Sequence, residues 1–63
     1  MKERIFSYLI FHEAAYGAPA TRRDLIEVLH LDERNVDDTI KTLLDEDKIK
    51  FWKGQYSEGY VAL

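Results

Sequence analysis

The stretch TRRDLIEVLHLDERNVDDTIKTLL, residues 21–44, reads as two short helices joined by a tight turn. Thr21 precedes an apolar-periodic run, and Asp24 follows three residues later. The hydroxyl can therefore accept a bond from an early helical N–H while the carboxylate sits at the positive helix end. This is close to a capping box with Asp in place of Glu. Asp32 repeats the signal, with Glu33 in the first turn of the next helix. Leu25, Ile26 and Leu29 form one apolar stripe, and Val36, Ile40, Leu43 and Leu44 form a second at helical spacing. His30 and Leu31 are left for the turn.

Upstream, residues 2–16 carry no helix breaker, and Gly17 is placed to close a helix in the left-handed conformation. At 100° per residue, Ile5, Phe6, Leu9 and Tyr16 share a core-facing stripe with Tyr8 on its flank, and Phe11 points nearly opposite. Phe11 is either covered by the hairpin or the chain end, or it marks, with Tyr8, a dimer or partner surface. Ala18-Pro19-Ala20 reads as a short extended connection, because Pro19 fixes its own φ and disfavours helix at Ala18. Downstream, Lys48 to Phe51 alternates polar and apolar, so Ile49 and Phe51 are expected to face inward and Lys48 and Lys50 outward. Gly54 and Gly59 break the pattern, and Tyr60 to Leu63 forms the return strand. Pairing Phe51 with Tyr60 and Ile49 with Ala62 across a wide loop puts the last apolar residues on the core side and leaves Trp52 to Gly59 as the tip. A tight turn at Lys53-Gly54 would pair Phe51 with Tyr56 instead. The expected elements are helices at 2–16, 22–29 and 33–46, a short strand at 18–20 and a hairpin at 48–63, all in one α+β domain spanning 1–63.

The chain has 63 residues, near the lower limit for a self-sufficient core, and 46% of them are hydrophobic, including eight Phe, Tyr and Trp. A dimer would supply further burial. With no cysteine, disulfides and thiolate zinc sites are excluded. No apolar run reaches the roughly 18 residues of a membrane span. The opening MKERIF lacks the apolar run of a secretion signal, so a cytoplasmic protein is expected. The formal charge is −3 and unevenly spread. Residues 1–31 balance; residues 32–47 hold seven acids against Arg34 and Lys41; residues 48–63 hold Lys48, Lys50 and Lys53 against Glu58. His12 and His30 stand alone without a second ligand at metal spacing. Asp45-Glu46-Asp47 lies on a helix end without a nucleophile pair or a phosphate loop. No metal, cofactor or enzymatic activity is expected.

Two helices across a turn of about three to four residues form a helix-turn-helix unit. With a leading helix, the TRRDLIEVL and LDERNVDDTIKTLLDED helices, the Leu29-His30-Leu31-Asp32 turn and an aromatic hairpin, the chain resembles the winged-helix branch of helix-turn-helix domains over nearly its whole length. His30 stands where a small residue, often Gly, is common in that family. The resemblance implies a DNA-binding transcriptional regulator, with the third helix in the major groove and with the start of the second helix and the wing on the backbone. Arg34 and Asn35 are the residue types that read guanine and adenine edges. Lys41 and Thr42 lie along the same outward face. Arg22 and Arg23 open the second helix, where N–H groups favour phosphate, and Lys50 and Lys53 would serve the wing. Other readings remain. Arg34, Asp38, Lys41 and Asp45 are spaced to pair along the helix surface, and Arg22 and Arg23 could pair with Glu27 or Glu3. The acidic third helix could also dock a basic protein partner, since winged helices also serve as interaction modules.

Overall fold

In the computed structural model, which describes residues 1–63, three helices are followed by an antiparallel hairpin: α1 (Lys2–Tyr16), α2 (Arg22–Leu29), α3 (Glu33–Asp45), β1 (Ile49–Lys53) and β2 (Glu58–Ala62). This is the winged helix-turn-helix layout expected from the sequence. Each boundary has a local cause. Gly17 closes α1 at φ 64°, its N–H donating to the Glu13 carbonyl. Thr21 and Asp24 form the reciprocal capping box, with both bonds at 3.1 Å. The Asp32 carboxylate accepts from the Arg34 and Asn35 N–H groups at 3.1 and 3.4 Å and so starts α3. Between α2 and α3, His30 adopts the left-handed conformation at φ 54° although it is not Gly. Arg4 ties α1 to this turn by donating to the Leu29 carbonyl at the end of α2.

Ile5 and Leu9 of α1, Ala20, Leu25 of α2, Val36, Ile40 and Leu43 of α3 and Ile49 of β1 make the core, with Phe6, Tyr8, Ile26, Leu29, Leu31 and Tyr60 packed around it. Four expected core positions lie outside it, one of them Leu63, which lies beyond the last ladder pair and is exposed. Leu44 is 36% exposed, because it stands about 80° around the helix from Val36 and only rims the stripe. Tyr16 is exposed on the last turn of α1, beside the His12 ring at 4.8 Å. Phe51 is half exposed. Only the first residue of β1 lies over the helices, and beyond it Phe51 rests edge-on against Tyr60 at 5.4 Å.

The hairpin takes the wide-loop register, with Ile49 opposite Ala62 and Phe51 opposite Tyr60. Its ladder runs further than expected, through Trp52–Gly59 to Lys53–Glu58, so the tip is only residues 54–57, bridged by Gly54 N–H to Ser57 O at 2.8 Å. The short strand expected at 18–20 contracts to Ala20, which exchanges two backbone bonds with Tyr60 at 3.2 and 2.8 Å. Gly59 makes this approach possible, since a Cβ there would run into the Ala20 carbonyl. No helix is long and apolar enough to cross a membrane.

Candidate nucleic-acid interface

The surface of α3 is built from its N-terminus. Because Asp32 occupies the first free N–H groups, Arg34 and Asn35 are held in the first turn with their side chains exposed and free of hydrogen bonds and ion pairs within the chain. Arg34 borders a shallow hollow otherwise lined by Asp32, Glu33, Asp37 and Asp38. Further along the helix, Lys41 is exposed and Thr42 donates its hydroxyl to the Asp38 carbonyl at 3.0 Å, which leaves its lone pairs outward. The charge pairs anticipated along this face, Arg34 with Asp38 and Lys41 with Asp38 or Asp45, do not form; none of these residues has an ion-pair partner. Their spacing allows contact, but each such pair is worth only a few tenths of a kcal/mol, too little to fix two long side chains.

Arg22, expected either to be free for phosphate or to pair with Glu27 or Glu3, engages two acids of α3 instead. It reaches across the helix-turn-helix, donating from Nε to Asp37 at 2.6 Å and from Nη2 to Asp37 at 3.1 Å and to Glu33. The guanidinium fork matches a carboxylate in two-point geometry. These bonds push the Arg22 pKa still higher and hold the Asp37 carboxyl below the usual aspartate range. Arg22 is thus a strut between α2 and α3 that neutralises two acids beside the first turn of α3. Pairing of Arg22 with Glu27 or Glu3 is not seen. The expected pairing of Arg23 is present in loose form, its Nε lying 3.8 Å from Glu27, and it is largely exposed.

On the hairpin, Lys50 and Lys53 are exposed and unpaired, and so is Lys48. Lys2 is paired with Glu46 at 2.8 Å, and Arg4 is spent on the Leu29 carbonyl. Of the nine Lys and Arg in the chain, the five with neither an ion-pair nor a hydrogen-bond partner are therefore Arg34, Lys41, Lys48, Lys50 and Lys53, all on α3 or the hairpin. Of these, Lys48 is not among the residues expected at the interface, although it belongs to the same lysine run as Lys50 and Lys53.

Tyr8 and Phe11, expected at a partner surface, part company. Tyr8 is half buried against the core, and burial, then Asp24 and Tyr16 nearby, raises its phenol pKa. Phe11 is 58% exposed, with neither hairpin nor chain end over it, and its neighbour Ile10 is 50% exposed. No group of three or more His, Cys, Asp or Glu side chains is placed to hold a metal ion. Compared with protein-family models, curated proteins and solved structures, the chain matches none.

Proposed function

We propose that this chain is a DNA-binding winged helix that acts as a transcriptional regulator, with α3 in the major groove of duplex DNA and the hairpin against the backbone. The observation that carries the reading is the concentration of every uncommitted cation on α3 and the hairpin, although the chain as a whole is acidic. In this reading Arg34 and Asn35 contact base edges from the first turn of α3. Lys41 and Thr42 continue along the groove, Arg23 takes a phosphate beside the α2 N-terminus, and Lys50 and Lys53 serve the wing. Arg22 acts indirectly, since by neutralising Glu33 and Asp37 it lowers the repulsion that phosphates meet at α3. The apolar outer face of α1, centred on Phe11 and Ile10, is assigned to a homodimer contact, which would set two recognition helices on one duplex.

Salt dependence tests the assignment. Binding should weaken with a slope of roughly −4 in log K against log salt; Lys53→Ala, which removes a phosphate contact, should reduce that slope by about one unit, whereas Arg34→Ala, which removes a base contact, should weaken binding by about 1–3 kcal/mol and relax sequence preference. A second reading is favoured by the acids around Arg34: a protein-docking module whose α3 receives a basic partner. There, Arg34→Ala and Lys53→Ala would change little, while charge reversal at Asp38 or Asp45 would abolish association.

A further inference from the structure

The broadest hollow beside the hairpin lies between its outer face and the end of α1. It has a volume of about 420 Å³ and is bounded by Glu13 and Gly17 to Pro19 on one side and by Lys50, Trp52 and Val61 on the other. Lys50 and Trp52 are two residues apart on β1 and so share one face of the strand. Gly54 leaves room for the indole there, because a Cβ at position 54 would collide with its six-membered ring. Trp52 is 42% exposed. At the adjoining tip, Lys53 and the almost fully exposed Tyr56 again line one hollow.

We infer that the Lys50–Trp52 face of the hairpin is a subsite for an unpaired nucleobase of single-stranded nucleic acid, stacked on Trp52 with its phosphate on Lys50. Charge selects this occupant. The hairpin segment 48–63 carries three lysines against one acid, and none of the lysines is paired within the chain, so a polyanion is favoured over a basic or neutral peptide. An exposed indole beside free lysines is the combination by which single strands are held, since every base has a π-face to stack while the cations follow the backbone. The size is that of a small-ligand cleft. The Glu13 carboxylate on the opposite wall would repel a phosphate but can accept from an exocyclic amino group, which favours cytosine or adenine over thymine. The inference rests on the nucleic-acid reading above for the class of polymer, but it concerns a different surface from α3.

Trp52 is the only tryptophan, so its fluorescence reports directly on the site. A single-stranded cytidine octamer should quench it, and inorganic polyphosphate of equal charge should not. With a labelled octamer, Trp52→Leu should weaken binding about tenfold. Gly54→Ala, which keeps the tryptophan and moves its ring, should weaken binding and reduce the quenching. Equal quenching by polyphosphate, or an octamer affinity unchanged in both variants, would overturn the inference. Labelled duplex titrated in parallel separates the two ideas: duplex binding without octamer binding sinks the single-strand site alone, and octamer binding without duplex binding sinks the α3 reading alone.

Discussion

His30 holds a left-handed conformation, φ 54°, with no side-chain bond to compensate. A non-glycine residue there costs roughly 1–2 kcal/mol, partly offset by the flexibility that glycine would add to the unfolded chain. His30→Gly should therefore stabilise the fold by about 0.5–1 kcal/mol, read as a higher denaturant midpoint at unchanged slope; a lower midpoint would show that the imidazole has a role of its own. Asp37 makes a pH prediction. Its pKa is depressed by hydrogen bonds from Arg22, so its contribution is present above the ordinary aspartate pKa and is lost as pH falls through the lower, folded value. The melting temperature of wild type should exceed that of Asp37→Asn at neutral pH, and the two should converge in strong acid. A gap that persists there would mean that the strut is not ionic. Caps were readable from the sequence because they act over three residues. The Arg22 strut was not, since its partners stand 11 and 15 residues away and meet it only once the turn has folded.

Among the elements, the helices were legible nearly to the residue, because Thr21, Asp32 and Gly17 punctuate apolar runs of helical period. The hairpin was legible in register and not in depth. Alternation correctly assigned Ile49 to the core, but it carries no information on where the underlying helices end, and so Phe51 was placed too deep. Gly59 is the test of how the sheet is joined to the body. A Cβ there meets the Ala20 carbonyl, so Gly59→Ala should cost about 1–3 kcal/mol, in the range for forced overpacking, and should weaken amide-exchange protection at Ala20 and Tyr60 before that of the helices. Unaltered protection at both amides would show that the bridge is dispensable. The outer face of α1 follows the same logic of unfinished packing. If it closes a dimer, sedimentation of the wild type should be concentration-dependent and that of Phe11→Ser should not; a strict monomer in both would remove the dimer contact.

The chain as one body spends its cations unevenly. The acidic excess of residues 32–47 argues against a polyanion when read as a sum, yet folding pairs Glu33 and Asp37 with Arg22 and Glu46 with Lys2. Arg34, Lys41 and the hairpin lysines are left without partners in the chain. That redistribution could not be read from composition, because it depends on which acids each cation reaches in three dimensions. The residue types at the start of α3 were legible; whether they were free was not. The most direct test is an NMR titration of labelled protein with mixed-sequence duplex DNA at low and moderate salt. Shifts concentrated at Arg34, Asn35, Lys41 and Lys53 that fade as salt is added are the predicted result. No shifts at low salt, or shifts confined to the outer face of α1, would contradict the assignment of α3 to DNA.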